Sequence, residues 1–248
     1  MTKKILLMIT ALLAAVTVSA ASAPVAVATP SPVTLSADAT YYTKYFDKGL
    51  VAFEDVAVAG AELEVYNFVA GVTTFNTVKD STTGKFTSSA GLFKRVDLSL
   101  GYKFTSPLAN LTLGGAYKTY TKSVSNVASN TEPFALLNGT VYKTKFTWDA
   151  KYRADLKNHT NNLEGNVRLP FGFKHVKLVP SVGYGFNDLG ADTIAKFKSS
   201  KQYAVLGAGV GYYTKYATFS VDYTQRRDGL TVNTNTIDSF SGGVSVKF

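Results

Sequence analysis

Two histidines and no cysteine set narrow limits on the chemistry open to this chain. Without cysteine there are no disulfides, no thiolate-ligated zinc, no thiol nucleophile and no lipid anchor on a cysteine. A hydrolase or acyltransferase needs a nucleophile, a base and an orienting group within reach of one another. The best set is His159, in the segment Lys157-Asn158-His159-Thr160-Asn161-Asn162, with Asp149, Asp155 and Glu164 nearby in sequence. An exposed loop histidine accounts for it more simply. His175 falls in a tight turn on the opposite side, too far to cooperate. Gly207-Ala208-Gly209-Val210-Gly211 has the glycine density of a phosphate loop, but the spacing is wrong and no helix follows. Glycine in a curved strand is the better reading. No Asp/Asn-rich calcium loop occurs, so neither an enzyme nor a metal or other cofactor is expected.

The remaining candidates are charged side chains that alternate with apolar ones. Arg95, Lys118, Lys151, Arg153 and Arg226 fall roughly eight to eleven residues from the nearest tight turn, and Asp97, Asp149 and Asp222 roughly five to seven, counted along extended chain. These eight are the candidate residues of a polar lumen. Their heights suggest a cationic zone toward the end with long loops and acids beneath it. Over the whole polar face basic side chains outnumber acidic ones by about three, which favours a mild preference for anions.

The elements carrying these residues are strands. In Arg95–Phe104, Val96, Leu98, Leu100 and Tyr102 oppose Arg95, Asp97, Ser99 and Lys103. In Phe146–Asp155, Phe146, Trp148, Ala150, Tyr152 and Ala154 oppose Thr147, Asp149, Lys151, Arg153 and Asp155. The same period of two, one face apolar and one polar, continues through Ala217–Thr224 and Ser239–Phe248. Tight junctions rich in Tyr and Phe alternate with longer polar stretches at 47–55, 76–90, 123–132, 157–161, 188–201 and 227–235. Five short connections and six long ones imply twelve strands, at 34–46, 56–65, 68–75, 91–103, 109–122, 133–142, 146–156, 162–171, 176–187, 202–213, 216–226 and 236–248.

The composition places this all-β chain. Only 17% of residues are charged while 13% are aromatic, which excludes an intrinsically disordered chain. The net charge of +9 comes from Lys and Arg scattered with no run longer than two, a weak footprint for nucleic acid, and no nucleic-acid partner is expected. Lys3-Lys4, the apolar run Ile5–Val18 and the small residues Val18-Ser19-Ala20 read as a secretory signal over 1–20. Residues 21–33, with three prolines, read as a disordered leader to a β-barrel over 34–248. No later window is apolar enough for a spanning helix.

Alternation alone also suits a soluble sandwich. Aromatics at the tight junctions (Tyr66, Phe68, Tyr102, Phe104, Phe171, Tyr212, Tyr216) and the terminal Phe248 favour a transmembrane antiparallel up-and-down barrel, whose interfaces carry aromatic girdles. The first strand, Ser36-Ala-Asp-Ala-Thr-Tyr-Tyr-Thr-Lys-Tyr-Phe-Asp-Lys-Gly-Leu50, resembles the start of the TorF-type porins, with Lys48 where that family carries Arg. Val179-Pro-Ser-Val-Gly-Tyr-Gly-Phe-Asn187 and Phe248 are similar too. The resemblance implies an outer-membrane channel of a Gram-negative-type bacterium and supplies no catalytic residues. The expected partners are outer-membrane lipids and lipopolysaccharide, small hydrophilic or anionic solutes, and the assembly machinery acting on the strand that ends in Phe248. A structural or surface-interaction barrel with a plugged lumen is the alternative, and an outer-membrane hydrolase a more distant one.

Overall fold

A computed structural model describes residues 33–47, 50–77, 95–120, 129–141, 145–157, 160–188, 202–228 and 236–248. The expected signal segment at 1–20, the leader up to residue 32, His159 and most of the loops expected at 76–90, 123–132, 188–201 and 227–235 lie outside these residues. The described residues form thirteen strand segments and no helix. They are β1 (Val33–Asp47), β2 (Leu50–Val65), β3 (Phe68–Thr77), β4 (Arg95–Thr105), β5 (Ala109–Tyr120), β6 (Asn130–Thr140), β7 (Thr147–Asp155), β8 (Thr160–Arg168), β9 (Phe171–Phe173), β10 (Val176–Asp188), β11 (Gln202–Tyr213), β12 (Ala217–Asp228) and β13 (Thr236–Lys247).

The thirteen segments make twelve strands. Segments β8 and β9 pair with successive stretches of β10, Ser181–Asp188 and Val176–Leu178, and are one strand broken at Leu169-Pro170. The Leu169 N–H donates to the Pro180 carbonyl at 3.1 Å across the break. A strand residue turns its N–H and C=O toward the same neighbour, so the donor that Pro180 lacks falls where β8 is interrupted. Every strand pairs antiparallel with its sequence neighbours, and β1 closes the ring on β13 from Ser36 opposite Lys247 to Tyr42 opposite Ser241. The fold is a closed twelve-stranded antiparallel barrel, as the loop parity predicts.

The distribution of side chains is inverted relative to a soluble protein. Leu98, Leu100, Phe219 and Val221 are 50%, 63%, 51% and 65% exposed on the outer face, whereas Arg95 and Arg226 are 2% exposed inside. A sandwich would bury its apolar face, and this chain shows it to the outside on strand after strand. Such a belt is the surface that a bilayer takes. Tyr66, Phe68, Phe104, Phe171, Tyr212 and Tyr216 are exposed at the short-turn rim.

Three of the differences from the expected boundaries matter for the interior. Of the loop expected at 47–55, Asp47 and residues 50–55 are strand: β1 and β2 run on, pairing as far as Asp47 opposite Leu50. Tyr45 and Phe53 find an aromatic cluster there, so extending the hairpin buries surface that a loop would leave wet. Segment β6 begins at Asn130 and β8 at Thr160, which brings Glu132 and Thr160 into the wall, both buried.

Candidate functional site in the barrel lumen

The interior is organised by the far end of the β1–β2 hairpin. The β1–β13 ladder stops at Tyr42 opposite Ser241, while β1 stays paired with β2 to Asp47. Beyond the last ladder pair, hydroxyls stand in for backbone partners. The Phe240 N–H donates to Thr43 Oγ1 at 2.9 Å, the Lys44 N–H donates to Ser239 Oγ at 3.3 Å, and the Ser239 hydroxyl donates to the Lys44 carbonyl at 2.6 Å. Two irregularities follow: the β1–β2 register shifts between Tyr45 and Phe46, and Asp55 takes φ 45°, with its carboxylate accepting from the Tyr41 hydroxyl at 2.5 Å. Bulges of this kind bend a hairpin and re-aim its side chains.

The bend carries Asp47 to the far wall. Its carboxylate meets Arg95 Nη1 of β4 at 2.8 Å, Lys118 Nζ of β5 at 2.9 Å and Arg153 Nη1 of β7 at 2.6 Å. In a ring of twelve strands β7 stands diametrically opposite β1. Even allowing for the reach of an arginine, the hairpin end lies inside the barrel and crosses the lumen. Behind it Tyr45 packs edge-on against Tyr42 and Phe75, Phe53 stacks on Phe75, and the Arg95 guanidinium lies 4.0 Å from the Phe75 ring centroid. Val56, Val58 and Phe75 are buried beneath them.

From this cluster a polar layer continues round the barrel. Arg95 Nε pairs with Asp97 at 2.8 Å and Lys118 Nζ with Glu132 at 2.9 Å. Arg153 Nη2 donates to Asn162 Oδ1 at 3.0 Å. The Asn162 amide donates to Asn187 at 2.7 Å and to the Tyr203 hydroxyl at 3.1 Å, and that hydroxyl donates to Glu164 at 2.5 Å. Arg226 completes the circuit 5.0 Å from the Tyr203 ring centroid. Buried charges persist only where partners and hydrogen bonds compensate the loss of water, and this layer supplies both. It occupies the part of the lumen nearest the long loops. At the short-turn end the interior is more open, with a cavity of about 630 Å³ lined in part by Asn110, Asn138, Asp149 and Arg168.

Of the eight sequence candidates, Arg95, Lys118, Arg153 and Asp97 come together around Asp47. Lys151 lies on the same inner face of β7; its Nζ is 5.9 Å from the Phe134 ring centroid and no carboxylate of the described residues is within ion-pair distance. Arg226 sits apart on β12. Asp149 is at the short-turn end, where it pairs with Arg168 and accepts from Asn166 at 3.0 Å. Asp222 faces inward beside Gly209 and takes no part in the layer. Asp149 and Asp222 lie nearer the short turns than the basic layer, whereas Asp97 is drawn into it. Asp97 lies two residues from Arg95 on the same face, and the long guanidinium folds back onto it.

Sequence reasoning missed Asp47, Glu132, Asn162, Asn187 and Tyr203. Strand parity places Asn162 with Glu164 and Asn187 with Gly185 on the inner face, a signal sufficient to include both asparagines. For Asp47 no such signal exists, because Tyr42 and Tyr45, three residues apart, share the inner cluster, so the alternation of β1 is already broken before Asp47 is reached. His175 is in the expected turn, its Nδ1 2.9 Å from the Tyr213 carbonyl.

No protein-family model matches the chain, and no curated protein matches it in sequence. Solved structures match in fold. A structure described as NanC porin is 13% identical, covers 86% of this chain and 100% of its own, and has a TM-score of 0.52. KdgM porin is 9% identical, covers 87% and 99% respectively, and has a TM-score of 0.54. A further KdgM structure, described as a complex with disordered oligogalacturonate, also has a TM-score of 0.54 at 10% identity and covers 87% of this chain and 99% of that one. At these identities the likeness is one of fold.

Proposed function

We propose that this protein is an outer-membrane channel of porin type that passes small hydrophilic solutes and prefers anions. The observation that carries the reading is the convergence of Arg95, Lys118 and Arg153, from three strands, on one point of the lumen, with Lys151 beside them and not ion-paired among the described residues. Asp47 and Glu132 join the acidic side of the interior, so the surplus of basic residues over the whole polar face is smaller than the sequence suggests. The preference therefore rests on where the cations sit. Confined cations select anions by replacing lost hydration. The acidic oligosaccharide associated with KdgM is consistent with such a lumen, and the likeness of residues 36–50 to the TorF-type porins supports the same class.

The outer membrane of a Gram-negative-type bacterium, entered through a signal peptide over 1–20, is the location this reading requires. Lipid and lipopolysaccharide would cover the apolar belt. Phe248 is 74% exposed and tied to β1 by its N–H donating to the Leu35 carbonyl at 2.8 Å, and in this reading it would serve the assembly machinery as a handle.

The test is planar-bilayer conductance of the refolded mature chain across a salt gradient. Anion preference is expected, and Lys151→Glu should weaken or reverse it. Cation preference unmoved by that change would overturn the reading. A plugged structural barrel is the second reading, favoured by the burial of Arg95, Lys118, Asn162, Asn187 and Arg226 in one layer. Absence of conductance under all conditions would select it.

A further inference from the structure

We infer that Arg95, Lys118 and Arg153 form an anion-binding seat which Asp47 occupies as an internal ligand, and that a solute carboxylate takes its place and frees the hairpin. This rests on the channel reading above and adds a regulated, carboxylate-specific step to it.

Pairing within the seat decides which cation is available. With Asp47 removed, Arg95 keeps Asp97 and Lys118 keeps Glu132. Among the described residues Arg153 then keeps a hydrogen bond only to the neutral Asn162 side chain, its Nε has no acceptor even with Asp47 in place, and Glu164 acts on it without a direct contact. Three cations against Asp47, Asp97 and Glu132 are balanced; without Asp47 one positive charge is uncovered, centred on Arg153. Lys151 lies two residues along the same inner face. A carboxylate entering from the open short-turn end reaches the inner face of β7 at Asp149 and Lys151 before it reaches Arg153. A guanidinium can take two carboxylate oxygens in its planar fork, a geometry chloride cannot reproduce.

The hairpin is made to let go at one place. Among the described residues, the β13 side of β1 between Thr43 and Asp47 has no ladder, only the hydroxyl bonds of Thr43 and Ser239. The register shift between Tyr45 and Phe46 separates a base, anchored by Tyr45 and Phe53 on Phe75, from the end that bears Asp47. Loss of the Asp47 contacts therefore releases the end and leaves the base packed. A solute can shift this balance only because it binds the released state and not the seated one, where Asp47 fills the site.

The experiment is single-channel recording of the refolded full barrel, wild type and Asp47→Asn, in potassium chloride with citrate added or withheld. Heat-modifiable migration on gels establishes that each variant is folded. Asp47→Asn should conduct several-fold more than wild type. Citrate should raise wild-type open probability and leave that of Asp47→Asn unchanged. A second variant uses the absence of native cysteine. Asp47→Cys with Arg153→Cys, joined by a reducible bifunctional thiol reagent, should stay at low conductance until the linker is reduced. Equal conductance of wild type and Asp47→Asn would overturn the inference while leaving an anion-preferring channel intact. An open Asp47→Asn with a citrate-insensitive wild type would overturn the competition. If wild type, Asp47→Asn and the reduced cysteine pair are all silent, both the inference and the channel reading fail.

Discussion

Arginine placed at Val221 and at Ser220 measures directly which face of the wall meets lipid. Val221 is 65% exposed and sits opposite Val210 on β11 and Gly242 on β13. Ser220 faces the lumen opposite Gly211 and Gly243. Strand β12 starts at Ala217, at the short-turn rim. Four residues at about 3.4 Å each carry Val221 about 14 Å along the strand. A tilt of 35–45° reduces that to about 10 Å along the barrel axis, close to the middle of an apolar band about 25 Å tall. Val221→Arg should therefore cost about 2–4 kcal/mol, the penalty for a cation facing lipid near the midplane.

At about 1.4 kcal/mol per factor of ten, that corresponds to roughly 30- to 1,000-fold in the folding equilibrium. Ser220→Arg places the same charge in a polar, glycine-lined space and should change stability little. The assay is reversible unfolding in lipid vesicles by guanidinium, comparing midpoints at unchanged slope so that the difference reports stability. Equal costs at the two positions would refute the assignment of faces, and a larger cost at Ser220 would reverse it.

Other outcomes follow from single groups. Tyr203→Phe removes the hydroxyl that joins Asn162 to Glu164 and should cost about 1–3 kcal/mol by denaturant midpoint, the penalty for leaving buried polar groups unpaired. Gly172 has φ 151° and a Cβ there would collide with the Val176 carbonyl, so Gly172→Ala should cost about 1–3 kcal/mol and diminish the folded, heat-modifiable band. The barrel itself predicts β-type far-ultraviolet circular dichroism in detergent, and a folded monomer soluble without detergent would overturn it.

Strand number, facing and closure were legible in the sequence because side chains of extended chain alternate strictly between two faces. Val96, Leu98 and Leu100 against Arg95, Asp97 and Ser99 already separate an outside from an inside. The count of short and long connections then sets the parity of the ring. What alternation cannot supply is position around the ring or a departure from period two. Asp47 bonds Arg95, Lys118 and Arg153, which lie 48, 71 and 106 residues away. Nothing local to any of them indicates the others. The pairing exists because the ring sets β7 opposite β1, and because a bulge after Tyr45, with Asp55 at positive φ, turns the hairpin inward. The residues of a polar interior were thus written along the chain, but their gathering around one carboxylate was decided by closure and a bend, since only these bring opposite walls within reach of a hydrogen bond.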